Sequence, residues 1–91
     1  MYGITFDLNT RDLQMFYSHT EQQAYAEIAE ILQNYGFKNM GKVFISQSDN
    51  VADLFTAVLA LRQESWFSSS VYNIHSFKIE QWSDLTQFVR A

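Results

Sequence analysis

The sequence predicts an α+β fold of the ferredoxin-like type, a β-α-β-β-α-β sandwich followed by a short C-terminal helix. Segments with strand-like alternation and segments with helical periodicity follow one another in that order. A Met-Gly turn joins the middle pair of strands at hairpin length. Because 91 residues leave room for one hydrophobic core, we expect a single domain over residues 1–91.

Composition limits the function classes. The chain has no cysteine, which excludes disulfides and thiolate metal sites. Its net charge is −4 with six basic residues, so it lacks the basic patch of a general nucleic-acid binder. No apolar run approaches the roughly 18 residues that span a bilayer, and no signal peptide is visible. We therefore expect a cytoplasmic protein without membrane contact. Aromatic residues make up 16% of the chain, and this surplus favours a homodimer.

The first strand covers residues 2–8, where apolar side chains alternate with small or polar ones. The apolar set, which we expect to face the helices, is Tyr2, Ile4, Phe6 and Leu8. Asp7 lies on the opposite face, near the carboxyl end of the strand. A polar loop over residues 9–20 is predicted to follow.

The first helix is predicted from one apolar stripe at spacings of three and four residues. A capping box of Ser18 and Glu21 marks its start, and Gly36 marks its end. The stripe consists of Tyr25, Ile28, Ile31, Leu32 and Tyr35.

A hairpin and a second helix follow. Residues 37–39 and 42–46 are predicted strands around the Met-Gly turn. Ser48 is the predicted cap of the second helix, with Asp49 in its first turn. The apolar positions that we expect this helix to bury are Val51, Leu54, Phe55, Val58 and Leu61.

The fourth strand is predicted within "SSSVYNIHSFKIE", residues 68–80, because β-branched and aromatic residues are frequent there. Ser83 is the predicted cap of a short final helix. That helix carries Leu85, Phe88 and Val89.

This order of elements predicts where Asp7 lies. Right-handed crossovers place the first and third strands side by side in the centre, and we expect both to run in the same direction. The end of the third strand would then bring Ser46 and Ser48 close to Asp7. The loop with Arg11 leaves from the same edge, and the fourth strand begins there.

Each polar candidate also has a structural explanation. Aspartates at strand ends often accept hydrogen bonds from loop amides, and pattern alone favours that role for Asp7. Arg11 and Lys42 are either phosphate ligands or solvated surface charges. His75 is either a packed strand residue or an acid–base group. No Gly-rich phosphate loop and no nucleophile–base pair is present.

Three stretches of the sequence carry a resemblance to a known family. They are "MYGITFDLNT", "AYAEIAEILQNYGF" and "WFSSSVYNIHSFKIEQWSDLTQFVR". In this order they resemble virulence-associated protein D (VapD) over nearly the full length of the chain. VapD proteins are similar in fold to the small CRISPR-associated ferredoxin-like nucleases. The resemblance implies a homodimeric endoribonuclease that acts on RNA as the toxin of a toxin–antitoxin pair, with an antitoxin protein as partner.

The resemblance also implies residue roles. In both groups the aspartate that ends the first strand is tied to cleavage, and this position is Asp7. It acts either as a general base or as a ligand of Mg²⁺, and the sequence does not decide between them.

We expect substrate contacts from Arg11, Ser46, Ser48 and His75. The family tends to carry arginines at positions 72 and 75, where this chain has Tyr72 and His75. The alternative is a non-catalytic dimeric module that binds protein or RNA.

Overall fold

A computed structural model describes residues 1–90 and confirms the α+β, ferredoxin-like class. In chain order the elements are β1 (Tyr2–Leu8), α1 (Thr10–Phe16), α2 (Glu21–Asn34), β2 (Lys38–Met40), β3 (Val43–Ser46), α3 (Val51–Arg62), α4 (Ser65–Ser70), β4 (Val71–Lys78) and α5 (Thr86–Arg90). The strands form one sheet in the order β2-β3-β1-β4.

All neighbouring strands in this sheet are antiparallel. The first and third strands are adjacent as predicted, but the expectation that they run in the same direction is wrong. In β1 and β3, Tyr2 is opposite Ser46 and Ile4 is opposite Phe44. The reason is topological: β1 and β2 run parallel across the first helical connection, and β3 lies between them after a hairpin reversal.

One face of the sheet packs on the helices and carries the core. Ile4 of β1 is fully buried there, and Phe6 stacks on Tyr25 of α2 at a ring separation of 5.7 Å. The buried apolar cluster is Ile4, Leu8, Leu13, Ala24, Ile28, Leu32, Phe37, Phe44, Leu54, Ala57, Leu61 and Phe67. Asp7 belongs to the opposite face, which we call the outer face; it carries Gly3, Thr5 and Asp7 of β1 with Asn73, His75 and Phe77 of β4.

Two segments expected to be loop or strand are helical. Residues 10–16 form α1, because the Asn9 side chain accepts a hydrogen bond from the Asp12 amide at 3.0 Å and caps the helix. Residues 65–70 form α4, so the fourth strand begins at Val71 instead of Ser68. The Asn9 backbone amide donates to the Ser70 carbonyl at 2.7 Å, and this bond joins the start of α1 to the end of α4.

Helix caps differ from those predicted, although the helices themselves are confirmed. Thr20 and Gln23 form the capping box of α2, in place of Ser18 and Glu21. Asn50 caps α3, and Ser48 instead donates to Asp53 at 2.6 Å. The Asp84 carboxylate, not Ser83, accepts from the Thr86 amide before α5.

Both predicted glycine positions are confirmed by their backbone conformation. Gly36 follows α2 with φ of 86°, and Gly41 lies in the β2–β3 turn with φ of 77°. A side chain is strained at these angles, so glycine suits the helix end and the turn.

The C-terminal segment crosses part of the outer face. A Cβ on Gly3 would lie 2.6 Å from the Phe77 ring and 3.2 Å from the Ile79 side chain. Trp82 contributes to a groove with Ile45 and Ser46. The Gly3 end of the outer face is therefore covered by the chain itself, whereas Asp7 at the other end is exposed. Among residues 1–90, no helix has the length and apolar character needed to cross a membrane.

The buried face of α3 differs from the predicted stripe. Leu54, Ala57 and Leu61 are buried, but Phe55 is 60% exposed and Val51 is also exposed. The whole helix is apolar enough that the stripe alone does not fix which side faces the core.

This difference leads to a test of the fold. Leu54→Ala should lower the free energy of unfolding by about 2–5 kcal/mol, because it opens a cavity in the core. Phe55→Ala removes a larger side chain yet should cost less than about 1 kcal/mol, because that side chain is mostly in solvent. Urea denaturation of both variants measures the difference, and equal losses would contradict the observed face of α3.

A candidate active site at the carboxyl end of β1

A cleft of about 600 Å³ lies beside the second half of β1. Its lining combines one carboxylate, one ammonium group, hydroxyl and amide groups, and aromatic rings. The lining residues are Thr5, Phe6, Asp7, Tyr25, Asn39, Gly41, Lys42 and Phe44. Asp7 thus lies in a concave site with groups of mixed polarity, as is usual for sites that bind small molecules or reacting groups.

Unequal strand pairing creates this cleft. Along one edge, β1 is paired with β4 over its whole length. Along the other edge it is paired with β3 only from Tyr2 to Ile4. Since β3 begins at Val43, residues 5–8 of β1 have no partner strand on that side, and residues from both faces of β1 line the opening.

The Asp7 carboxylate accepts no hydrogen bond and forms no ion pair with any other residue in the described part of the chain, 1–90. Three other aspartates do have structural partners. Asp49 pairs with the N-terminal ammonium group, Asp53 accepts from Ser48, and Asp84 accepts from the Thr86 amide. The explanation of Asp7 as an acceptor for loop amides therefore has no contact to support it.

Two residues of β4 are neighbours of Asp7 on the outer face. Asn73 is directly opposite Asp7, and His75 is opposite Thr5, one step along the same face. Side chains in this diagonal relation are roughly 7–8 Å apart. His75 is exposed, so the alternative of a packed strand residue is wrong.

Tyr25 brings a hydroxyl group from α2 to the end of β1. Its ring is stacked on Phe6, which fixes its direction. Burial raises the pKa of Tyr25, and the negative charges of Glu21 and Asp7 raise it further, against a backbone hydrogen bond with Leu8. The phenol is thus neutral at physiological pH and keeps its proton as a hydrogen-bond donor.

Lys42 is the basic residue in the lining of the cleft. It lies just after Gly41 in the β2–β3 turn, which the antiparallel hairpin directs toward the end of β1. Within residues 1–90 it has no carboxylate within 4.0 Å. Its charge is therefore not neutralised by a neighbouring acid.

The structure does not bring Ser46 and Ser48 to Asp7, and this prediction is wrong. Ser46 is opposite Tyr2, and Asp7 is five positions further along the strand, or about 17 Å away. Ser46 is also buried, and its hydroxyl accepts from the Ser48 amide at 3.2 Å. Because the two strands are antiparallel, the carboxyl end of β3 lies beside the amino end of β1, away from Asp7.

The position of Arg11 agrees only in part with the prediction that it contacts the substrate. It is close to Asp7 in sequence, on the first turn of α1, and is exposed. It does not line the cleft.

Sequence analysis missed Tyr25 and Asn39 as site residues and left Lys42 open. Tyr25 was part of the apolar stripe of the first helix, and Asn39 was one polar residue in a three-residue strand. The antiparallel direction of β3 is the signal that would have found them, because it places the hairpin turn at the Asp7 end.

The donor groups limit how a metal ion could be held. The described residues contain no group of three or more His, Asp or Glu side chains arranged to hold a metal. Asp7 is the acidic residue of the cleft. A single carboxylate suits Mg²⁺ only when water and substrate phosphates supply the remaining ligands.

Comparison with known proteins shows similarity over the whole chain. The chain is 43% identical over 91 residues to "Endoribonuclease VapD" of Haemophilus influenzae, covering 99% of each chain. It is 40% identical over 92 residues to "Endoribonuclease VapD homolog" of Neisseria gonorrhoeae, covering 100% of each. With "Endoribonuclease VapD" of Helicobacter pylori the identity is 33% over 94 residues, again covering 100% of each. No family model matches the chain.

The proximity of Asp7 and Tyr25 is testable through titration of the tyrosine. Asp7→Asn and Glu21→Gln should each lower the pKa of Tyr25, because each removes a negative charge that disfavours the phenolate. The effect of Glu21→Gln should be the larger. NMR of tyrosine ring carbons, assigned with Tyr25→Phe, measures the shift. Asp12→Asn is the control, and a Tyr25 pKa unchanged by Asp7→Asn would mean that the two groups are not neighbours.

Proposed function

Because this chain belongs to the VapD family, we propose that it is an endoribonuclease that cleaves RNA at the cleft containing Asp7. The observation that carries the proposal is the Asp7 carboxylate, exposed in that cleft without a partner in residues 1–90. Relatives named endoribonucleases match it end to end at 33–43% identity. An unpartnered carboxylate beside an ammonium group and a neutral phenol suits phosphodiester chemistry.

In the metal-free mechanism, Asp7 is the general base. It takes the proton of the ribose 2′-hydroxyl while the 2′-oxygen forms a bond to phosphorus and the bond from phosphorus to the 5′-oxygen breaks. The leaving 5′-oxygen takes a proton from water, and the resulting hydroxide takes back the proton from Asp7, so charge and protons balance. Of the four residues predicted to contact the substrate, His75 is the one that shares a face of the sheet with Asp7.

In the metal-assisted mechanism, Asp7 would be the protein ligand that holds Mg²⁺. Bound Mg²⁺ would supply positive charge to the reacting phosphate. Asp7 would then serve as a metal ligand instead of a general base. The cleft residues fit either role of the carboxylate, and removal of metal distinguishes them.

We further propose that the active form is a homodimer with the outer faces in contact. The C-terminal segment covers the Gly3 end of that face, so the uncovered half is the one with Asp7. A twofold axis there would bring two copies of Asp7 into equivalent surroundings. The resemblance to VapD extends this proposal to a cytoplasmic toxin that an antitoxin protein restrains.

A second function is favoured by exposed apolar residues. Val51, Phe55 and Leu59 recur every four residues on α3 and are each about half exposed or more. This stripe, on a chain with net charge −4, suits a module that binds another protein without cutting RNA. RNA cleavage dependent on Asp7 is the property that this module would lack.

Asp7→Asn should reduce RNA cleavage by about 10²–10⁴-fold, the typical contribution of a general base. The amide neither accepts the proton nor binds Mg²⁺ well, so both mechanisms lose their central group. The substitution leaves the fold intact because the side chain is exposed and opens no cavity. Cleavage of a defined RNA, with EDTA and with added Mg²⁺, is the measurement.

Asp12→Asn is the matched control, since it removes a nearby carboxylate outside the cleft and should keep activity near wild type.

Induced expression should slow growth with the wild-type chain and not with Asp7→Asn if the protein is a toxin. A folded Asp7→Asn variant that cleaves at the wild-type rate would remove Asp7 from the mechanism.

The dimer has its own test. Light scattering at micromolar concentration should give twice the mass of the 10.6 kDa chain. The small core and the exposed aromatic residues are the physical reasons for association. A monomer at that concentration would exclude the arrangement with two facing Asp7 residues.

A further inference from the structure

The cleft contains two groups whose role the general-base mechanism leaves open, Lys42 and Tyr25. A third residue in it, Asp7, carries the opposite charge. Lys42 and Asp7 are not an ion pair, because no nitrogen–oxygen contact between them falls within 4.0 Å. A carboxylate and an ammonium group thus line one cleft without forming an ion pair, and both charges are available to a ligand.

Charge considerations point to the class of ligand at Lys42. The protein has net charge −4 and six basic residues in 91 positions, so affinity for a polyanion depends on individual cations. The ammonium group of Lys42 has no carboxylate partner in residues 1–90. It is a point charge on a flexible stem and can follow a phosphate group within the cleft.

Tyr25 complements this charge with a directed donor. Stacking on Phe6, with 18° between the ring planes, restricts the position of the hydroxyl group. The hydroxyl donates to no side chain or carbonyl in the described residues, 1–90. A neutral phenol with a free proton is suited to donate to a phosphate oxygen.

We propose that Lys42 and the Tyr25 hydroxyl hold a phosphate of the RNA strand next to Asp7, and so position the 2′-hydroxyl for proton removal. This inference rests on the proposed function, since it assigns the substrate contacts of the same site. It replaces Ser46 and Ser48 as phosphate ligands with residues from the β2–β3 turn and α2. Lys42 supplies charge, and Tyr25 fixes the orientation of the phosphate.

Binding of an RNA that resists cleavage tests the subsite directly. A fluorescent, fully 2′-O-methylated single strand of eight nucleotides blocks the 2′-oxygen but keeps the phosphates. Lys42→Gln should weaken its binding about tenfold at low salt, and should reduce the slope of log K against log salt by about 0.7, as loss of one phosphate contact predicts. Tyr25→Phe keeps the ring and its stack on Phe6 and should weaken binding a few-fold with the slope unchanged.

Matched controls are available in the chain. Lys38→Gln removes a cation from the neighbouring strand β2, and Tyr35→Phe removes a phenol of similar exposure at the end of α2. Neither residue lines the cleft, so both variants should bind within twofold of wild type. In cleavage assays, the loss for Lys42→Gln should appear mainly in KM, whereas Asp7→Asn should lose kcat.

The outcomes separate this inference from the proposed function. If the wild-type chain cleaves RNA and Lys42→Gln and Tyr25→Phe behave like their controls, the subsite is wrong and the nuclease proposal stands. If the chain does not cleave RNA but binds the methylated strand through Lys42 and Tyr25, the subsite stands and the nuclease proposal fails. Absence of both cleavage and binding would overturn both.

Discussion

The unequal pairing of β1 is the constraint on which the rest of the site depends. Pairing with β4 extends along the full strand, with a register shift between Asp7 and Leu8, and places Asp7 opposite Asn73 on the outer face. Pairing with β3 ends after Ile4, and the second half of β1 is left without a neighbour on that side. The open edge and the adjoining hairpin turn form the cleft, so the same feature gives access to the Asp7 carboxylate.

Helices α2 and α4 contact β1 on its core face, opposite to the face that carries Asp7. Phe6 points into the core side of β1 and stacks between Tyr25 of α2 and Phe44 of β3, at 5.7 and 5.9 Å. Phe67 of α4 meets the same ring edge-on. This aromatic cluster is part of the core, yet it also determines where the Tyr25 hydroxyl lies. Packing and site geometry are therefore coupled, because a change in the cluster would move a polar group beside Asp7.

Hydrogen bonding separates Asp7 from three of the four other aspartates in the described residues, 1–90. Asp49 pairs with the N-terminal ammonium group, Asp53 accepts from Ser48 beside α3, and Asp84 accepts from the Thr86 amide at the start of α5. Residues with such partners have a structural reason to be aspartate. Asp7 has no such partner in residues 1–90, although a hydroxyl and an ammonium group line the same cleft. The Asp12 carboxylate also lacks a partner in residues 1–90, and what sets Asp7 apart from it is a place in the lining of the cleft.

The sequence by itself determined the class of fold, the order of the main strands and helices, the hairpin turn at Gly41 and the face on which Asp7 lies. These features depend on periodicity and on glycine conformation, which are local properties of the chain. Resemblance within the sequence also identified the family to which the matched relatives belong.

Only the tertiary structure decided which residues surround Asp7. Strand direction is not encoded in the period-2 pattern, since a strand buries the same face whichever way it runs. Assigning β3 the wrong direction put Ser46 at the site and left Lys42 and Tyr25 out. In the antiparallel sheet, the turn at Lys42 lies beside the open half of β1, and the strand end at Ser46 lies at the other end.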